Sequence, residues 1–307
     1  MKETDKRMSQ IVFEKFGVPE AAKAYIDVFL TKQEQDFVEK VEKEVFDVHD
    51  IALLVREEAE AFAASAYHRG IISLVEEGKQ WYRLNNFYGR LDIFVISEQE
   101  RYRRIPEDVR RSLDDWYFAE YDKSLNQDLR VRPTSDEILL LDEVVAFIDK
   151  QERPVYLNYC DCRSLTGDCG LPTRTCITYK NGINTFVHRG HSEEIDKERA
   201  KEIVRKADQA GLMHTVNPNG ICNCCGDCCY LFRSQRRRNS GVFWPATKHI
   251  VSLDQGACIA CGKCVRRCHF GVFEKRDRKI IVHEENCVGC GICATACPKQ
   301  ALKMKGR

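Results

Sequence analysis

Apolar and polar positions in the first half of the chain follow a helical spacing until about residue 70, where a strand spacing begins. Residues 32–45 illustrate the helical part, because their apolar side chains recur every three or four positions among acidic neighbours. The predicted elements are a helix over 32–45, a second from Asp47 or Asp50 to Val55, a third over 57–69 before Gly70, and a hairpin over 71–84 that turns at Gly78. Three helices followed by a hairpin are the order of a winged helix.

The pattern of the second half mixes strands and helices. The predicted elements are a helix from the Thr134–Glu137 capping box through Lys150, a strand over 155–159, a helix from Asp196 to Ala210 stopped by Gly211, and a strand over 212–216. This last strand leads into a cysteine-rich loop. The mixture predicts an α+β chain with a helical, winged-helix-like N-terminal region.

Cysteine usage divides the chain. All 17 cysteines lie at or after Cys160, and the first half has none. In a chain without a secretory signal, this density indicates bound metal rather than disulfides. We therefore predict a helical or winged-helix-like domain over 1–131, a cysteine-rich middle domain over 132–245 and a C-terminal domain over 246–307.

Charge and hydropathy argue against two classes of function. The net charge is +1, which gives the whole molecule no electrostatic attraction to nucleic acid or to a membrane. The N-terminus is charged from its second residue and lacks the apolar core of a secretory signal. No uninterrupted apolar run approaches transmembrane length. These features predict a cytoplasmic protein with no membrane partner.

The last 60 residues carry one cysteine motif twice, with spacings of two, two and three residues between cysteines. The first run is Cys258, Cys261, Cys264 and Cys268, and the second is Cys287, Cys290, Cys293 and Cys297. This is the spacing of two-cluster iron–sulfur domains. Zinc is the competing metal, but zinc sites rarely use two interleaved sets with this spacing.

This segment resembles the bacterial-type ferredoxins that carry two 4Fe–4S clusters. The resemblance implies a ferredoxin-like dicluster domain in which each run lends its fourth cysteine to the other cluster. One cluster would be held by Cys258, Cys261, Cys264 and Cys297, and the other by Cys287, Cys290, Cys293 and Cys268. His269 departs from the family, which usually has proline after the fourth cysteine. The role implied is single-electron transfer.

The stretch ICNCCGDCCYLF at 221–232 repeats part of that motif. Cys222, Cys225 and Cys228 are each separated by two residues, but Phe232 occupies the position of the fourth ligand. The remaining middle cysteines are Cys160, Cys162, Cys169, Cys176, Cys224 and Cys229. We predict at least one further 4Fe–4S cluster on the triplet plus one upstream cysteine. A second middle cluster, or a structural zinc on Cys160, Cys162, Cys169 and Cys176, remain alternatives.

The order of segments also resembles a broader group of ferredoxin-domain proteins from anaerobes. The matching residues are Cys160-Asp-Cys162-Arg163, Cys169, Cys176 and Cys222-Asn-Cys224-Cys225. That resemblance supports middle-domain clusters but implies no particular substrate.

Three function hypotheses follow. The favoured one is a multicluster electron-transfer protein of anaerobic metabolism, whose basic residues near the ferredoxin motif dock an acidic redox partner. The second is a reductase, a ferredoxin-type oxidoreductase or a subunit of one, that binds a small molecule at an open middle cluster. The third is a redox-sensing DNA regulator, which Glu57, Glu58 and Glu60 at the start of the third helix disfavour because carboxylates repel phosphates.

Four further side chains near the cysteines are candidates for chemistry. His188, His191 and His214 could each donate a proton or a ligand, although such histidines more often have a structural role. Arg163 could offset the negative charge of a thiolate-ligated metal centre or bind an anion.

Overall fold

The computed structural model describes residues 3–55, 58–167 and 169–307, and describes residues 3–9 only in their backbone. The chain forms two compact units. The first comprises Met1–Glu120, Ser164–Thr166 and Lys180–Ser192, and the second comprises Tyr121–Arg163, Gly167–Tyr179 and Glu193–Arg307. All cysteines belong to the second unit. The predicted domain boundaries at 131 and 245 stay predictions.

The first half of the chain is mainly helical, as its apolar spacing indicates. Its elements are α1 (Glu3–Phe16), α2 (Glu20–Lys23), α3 (Ile26–Phe29), α4 (Lys32–Lys40), α5 (Val48–Ala52), α6 (Ala59–His68), β1 (Ile72–Leu74), β2 (Tyr82–Leu84), α7 (Phe87–Ser97), α8 (Gln99–Arg103) and α9 (Glu107–Ser124). β1 and β2 form an antiparallel pair, and Phe46 adds an isolated bridge to Tyr82. The winged-helix arrangement stays a prediction, and the predicted start of its third helix at Glu57 lies outside the described residues.

Helix α4 is shorter than predicted. It begins at a capping box in which Thr31 accepts from the Glu34 amide and Glu34 accepts from the Thr31 amide. It ends at Lys40 because Val41 has extended backbone angles, and from there the chain runs to the bridge at Phe46. Helical spacing alone does not reveal such an early end.

A buried ion pair organises the interior of the first unit. The fully buried Arg90 donates to the Phe29 and Arg69 carbonyls, at 2.9 and 2.8 Å, and to Glu98 at 2.6 Å. Arg69 also donates to Glu98, at 2.8 Å. Burial lowers the pKa of Arg90 to about 10. Burial alone would raise the pKa of Glu98, but the charge of Arg90 and the other arginines lowers it overall.

This network makes the first unit sensitive to acid. Glu98 stabilises the unit above its unfolded pKa, near 4.5, and that contribution is lost as pH falls through the lowered folded pKa. We expect Glu98→Gln to cost about 3 kcal/mol at neutral pH, because it leaves a buried guanidinium without its counter-charge. Hydrogen exchange of α7 and α8 measures the loss. The exposed Glu100→Gln is the control, and equal exchange in both variants would contradict the prediction.

The second unit is built on a mixed sheet and two hairpin-like pairs. Its elements are β3 (Glu137–Leu139), α10 (Leu141–Asp149), β4 (Val155–Asn158), α11 (Asp161–Thr166), β5 (Cys176–Thr178), β6 (Glu193–Ile195), α12 (Lys197–Ala210), β7 (Met213–Asn217), β8 (Gly220–Cys224), α13 (Tyr230–Arg238), β9 (Ala246–Thr247), β10 (His249–Leu253), α14 (Lys263–Arg267), β11 (Phe273–Arg276), β12 (Lys279–Val282), α15 (Ile292–Thr295) and β13 (Leu302–Gly306). The sheet order is β6-β4-β5-β8-β7-β3-β9, and only β3–β9 is parallel. The chain is therefore α+β, as predicted.

The predicted start of the helix at Thr134 is wrong. Residues Glu137–Leu139 form β3, which pairs with both β7 and β9 and buries Ile138. The helix begins only at Leu141, where the Glu143 side chain accepts from the Leu140 amide at 2.9 Å. Sheet pairing therefore overrides the local capping pattern.

Helix α12 lies where the sequence predicts it. Asp196 caps it by accepting from the Arg199 amide, and Gly211 ends it with a φ of 101°. Ala200, Val204 and Ala207 are buried on one face. Within the described residues, none of the helices is long and apolar enough to cross a membrane.

Candidate metal centres

The eight C-terminal cysteines lie on two similar loop-and-helix segments. The first run follows β10, and its Cys264 lies on α14, which ends at Cys268. The second run follows a 3₁₀ turn (Glu284–Asn286), and its Cys293 lies on α15. The pairs β10–β13 and β11–β12 are antiparallel, and they frame a core that includes most of these thiols.

Glycine lets the backbone of the second run approach closely. Gly289 and Gly291 have φ values of 74° and 78°, a left-handed conformation that favours glycine. A Cβ on Gly289 would lie 2.3 Å from the carbonyl oxygen of His249. The same approach can bring amides to a bound cluster.

The first cysteine set surrounds one small cavity near the surface. The cavity is lined by all four of its cysteines, Cys258, Cys261, Cys264 and Cys297. Cys261 is exposed, and the neighbouring Ile259 is 58% exposed. Four thiols round one cavity fit a 4Fe–4S cluster, which takes one cysteine per iron. The ligand assignment itself stays a prediction.

The second cysteine set is more deeply buried. Cys287 and Cys293 are buried, and Cys290 packs against an apolar core of the middle region. Burial, together with the nearby Cys268 and Cys287 thiols, raises the pKa of Cys290 to about 12. Thiolates in this interior need a cationic metal centre to offset their charge.

A basic cleft adjoins both ligand-bearing helices. Its volume is about 500 Å³, and it is lined by Asp208, Gln209, Lys263, Arg266, Arg267, Thr295 and Ala296. Lys263 and Arg266 are exposed, whereas Arg267 also donates to the carbonyl of Gln209 at 2.7 Å. The cleft can receive an anionic group close to the clusters.

The nine middle cysteines lie on or near three strands of the sheet, β4, β5 and β8. Cys160 is the N-cap of α11, which follows β4, Cys162 lies on α11, and Cys176 begins β5. The others lie in the loop before β5, on β8 and in the turn that leads into α13; they are Cys169, Cys222, Cys224, Cys225, Cys228 and Cys229. The cysteine-rich segment that was predicted to be a loop therefore begins as a strand, which ends at Cys224.

Six of these thiols form a closed chain of contacts, which we name the six-thiol ring. A hydrogen bond joins Cys229 to Cys224, and side-chain interactions that shift the thiol pKa values link Cys160 to Cys162 and Cys176, Cys162 to Cys229, Cys224 to Cys222, and Cys222 to Cys176. The Cys224 and Cys229 sulfurs are 3.3 Å apart. Hydrogen bonds from Cys176 and Cys224 lower the pKa of Cys222 to about 6. Cys222 is the exposed member, so the ring is accessible from solvent.

The other three thiols form a second group, which we name the three-thiol group. Cys169, Cys225 and Cys228 lie with a carboxylate oxygen of Asp227 such that all four ligand atoms are within 4.8 Å of one another. Hydrogen bonds from Cys225 and Cys228 lower the pKa of Cys169 to about 3. Three thiols and one carboxylate can fill a four-coordinate metal site.

The group within 4.8 Å contains Cys225 and Cys228 but not Cys222, with which spacing had grouped them, and the predicted ligand set stays a prediction. The reason is strand geometry: Cys222 and Cys224 are two residues apart on β8, so they point to the same face of the sheet. The register between β5 and β8 then places another thiol next to Cys222. Ile177 pairs with Ile221, and continuing that register sets Cys176 opposite Cys222.

Arg163 connects the two thiol groups. Its guanidinium is buried and donates to the Pro172 and Asn223 carbonyls and the Thr175 hydroxyl, at 3.0, 2.6 and 2.6 Å. Burial would lower the pKa of Arg163, but Cys160, Cys176 and Cys225 raise it overall. These three acceptors are neutral, and the thiols supply the counter-charge. The sequence prediction of an arginine that offsets thiolate charge is consistent with this position.

The three candidate histidines occupy structural positions. His188 and His191 belong to the first unit, where they contact the Tyr67 hydroxyl and the His68 carbonyl, each at 2.7 Å. His214 is buried in the second unit and contacts the Asn223 side chain at 2.7 Å. His214 therefore orients β8 beside the cysteines.

Two polar side chains near the six-thiol ring were missed by sequence reasoning. Burial, followed by the charges of Cys229 and Cys162, raises the pKa of Tyr121 well above its usual value. Burial and then Cys160 raise the pKa of Asp161 to about 6. Nothing in the local sequence around Tyr121 marks it as a neighbour of the cysteines.

The three-thiol group touches the C-terminal domain at one glycine. A Cβ on Gly226, between Cys225 and Cys228, would lie 2.2 Å from the Cβ of His269, which follows Cys268. His269 also contacts the Gly211 carbonyl at 3.2 Å through Nε2. The residue that departs from the ferredoxin pattern thus packs against the middle region.

This contact should not tolerate a methyl group. We expect Gly226→Ala to lower stability by about 1–3 kcal/mol, because the added carbon overlaps His269. A second change, His269→Gly, should restore most of the loss. Gly306→Ala is the control, because its Cβ would meet open space. Urea midpoints measure the series, and a single Gly226→Ala variant as stable as wild type would overturn the expectation.

Known proteins match this chain in its C-terminal part. Residues 251–304 match a family described as the 4Fe-4S dicluster domain. Ferredoxin-3 of Nostoc sp. is 34% identical over 17% of this chain and 73% of its own length. Pyruvate synthase subunit PorD of Methanothermobacter marburgensis is 36% identical over 22% of this chain and 79% of its own length.

A larger relative matches only with a small part of its length. The archaeal-type glutamate synthase (NADPH) of Dehalococcoides mccartyi is 38% identical over 21% of this chain and 13% of its own length. No solved structure matches the chain. The matched segment contains both cysteine runs. Through residues 251–304, this chain belongs to the ferredoxin family of proteins with a 4Fe–4S dicluster domain.

Proposed function

We propose that the chain is a multicentre electron-transfer protein, in which the dicluster domain exchanges single electrons with metal held by the middle cysteines. A bound 4Fe–4S cluster supplies one-electron redox chemistry. The observation that carries the proposal is that Cys290 of the second C-terminal cysteine set packs against a core that contains the middle thiols Cys224 and Cys229, within one compact unit. At least one of the two middle groups would hold a further iron–sulfur centre.

Packing between the two regions supports this route. Cys290 packs against an apolar core that contains Cys224 and Cys229, and Phe232 meets Phe270 at 5.4 Å between ring centroids. On another side, His269 packs against Gly226. These contacts hold the two thiol-bearing regions at a fixed separation, which supports electron exchange between them.

The exposed first set is the proposed entry point for electrons. Cys261 is exposed beside Ile259, and Lys263 and Arg266 flank it in the basic cleft. An apolar contact ringed by cations suits an acidic redox protein. We propose such a protein as the partner.

A reductase is the second candidate function, and one observation favours it. The six-thiol ring is accessible at Cys222 and adjoins Tyr121 and Asp161, whose protons could serve a bound small molecule. The acidic start of α6 argues against a DNA-binding role, because Glu58 is its N-cap and Glu60 lies in its first turn.

Anaerobic iron and sulfide analysis with EPR tests the proposal. The variant is Cys222→Ser/Cys225→Ser, which removes one thiol from each middle group. We expect wild type to hold more metal than the about eight irons of two 4Fe–4S clusters, and the variant to fall towards that number. About eight irons and no other metal in both proteins would refute it.

A further inference from the structure

We propose that the six-thiol ring is one polynuclear metal site, in which all six thiolates bind more than one metal ion. This inference concerns metal content, and it goes beyond the proposed electron transfer. It differs from a middle 4Fe–4S cluster because such a cluster takes only four thiolates, one for each iron.

The first argument is connectivity. Each ring thiol contacts two others, and the contacts close on themselves. Any division into two separate sites would cut two of these contacts. A four-thiolate centre that left out Cys224 and Cys229, for example, would place their protonated thiols against the thiolates of Cys222 and Cys162.

The second argument is charge. Six thiolates carry about six negative charges, and Arg163 supplies one positive charge from among the residues described here. Cys160, Cys224 and Cys229 are buried, so an uncompensated charge is costly. One divalent ion would leave about three negative charges, whereas two would leave about one. The charge balance therefore needs at least two ions.

The third argument is ligand number. Two tetrahedral ions offer eight positions, which six thiolates fill when two of them bridge both ions. An iron–sulfide core with more than four irons can also use six thiolates. Both solutions share the same chemistry, a soft metal centre bound by all six thiolates, and they differ in their sulfide content.

The ring differs from the C-terminal sites in its spacing. Among the residues that the structure describes, groups of three or more metal-ligating side chains within 4.8 Å of one another occur at Cys160, Asp161 and Cys162 of the ring region and in the three-thiol group, and not in the ferredoxin domain. Thiolates on one ion are about 3.8 Å apart for metal–sulfur distances near 2.3 Å. The 3.3 Å between Cys224 and Cys229 is of that order.

The test compares metal and sulfide in anaerobically purified full-length wild type, Cys224→Ser/Cys229→Ser and Cys169→Ser. The ring variant should lose at least two metal ions that the Cys169→Ser control retains. Loss without sulfide identifies a thiolate-bridged pair, and loss of more than four irons with sulfide identifies a larger iron–sulfide core. The inference would be overturned if the ring variant lost four irons with four sulfides, lost only one metal ion, or lost none. A loss of four irons with four sulfides would still leave the proposed function intact.

A wild-type measurement covers the case in which the ring variant does not fold. Stepwise chelation with EDTA, followed by alkylation with iodoacetamide and peptide mass mapping, reports which thiols the metal protects. The six ring cysteines should become reactive together. Protection of only four of them would overturn the inference.

Discussion

An Arg163→Met variant is expected to lose metal from both middle thiol groups while the C-terminal domain keeps its about eight irons. Arg163 is the buried cation that interacts with thiols of both groups, Cys160 and Cys176 in the ring and Cys225 in the three-thiol group. Its three hydrogen bonds also fix the strand and loop that carry those thiols. Methionine fills similar space but supplies neither charge nor donors.

The expected size of this effect is large. Removing a partner that orients metal ligands typically costs about 10–100-fold in metal affinity, and we expect that loss for each thiol group. Arg163→Lys should retain part of the metal, because it keeps the charge but loses the planar set of donors. The control is Arg174→Met, which changes an exposed arginine of the loop to which Arg163 donates hydrogen bonds. Metal analysis after gel filtration measures all four proteins, and full middle metal in Arg163→Met would contradict the role given to this arginine.

Cys264→Ser and Cys297→Ser are expected to remove the same cluster, although the two residues belong to different sequence runs. The cavity lined by Cys258, Cys261, Cys264 and Cys297 supports this crossed assignment. Each variant should lose about four irons, since one 4Fe–4S cluster is lost. Cys268→Ser should instead remove the other cluster, together with Cys290→Ser.

EPR of the reduced variants identifies which cluster survives. Cys264→Ser and Cys297→Ser should leave the same signal, and Cys268→Ser and Cys290→Ser should leave a different one. If Cys268→Ser instead gave the signal of Cys264→Ser, each run would supply all four ligands of its own cluster, and the crossed assignment would be wrong.

Local patterns predicted the parts of the molecule that local interactions decide. The repeated cysteine spacing of residues 258–297 identified the dicluster domain, which the family match confirms. Asp196 and Gly211 marked the ends of α12, because capping and a left-handed glycine act within one turn. The predicted end of α4 and the predicted start of α10 were wrong, because a nearby bridge or strand competes with the helix there.

The division of the middle cysteines could not be predicted from spacing. Cys176 and Cys222 are distant in sequence and meet because β5 pairs with β8. Cys222 and Cys225 are close in sequence, but Cys222 lies on β8 and Cys225 follows its end, where it joins Cys169 and Cys228. The pairing of strands that are distant in sequence decides which cysteines meet. Local sequence patterns do not reveal the register of that pairing.

Electron exchange between the ferredoxin domain and the middle region is tested most directly by counting electrons. Anaerobic titration with dithionite, followed by EPR and absorbance, gives the number of electrons that each chain accepts. We expect wild type to accept more than the about two electrons of two 4Fe–4S clusters, and Arg163→Met to accept about two. A wild-type chain that holds its middle metal and still accepts only two electrons would contradict the proposed function.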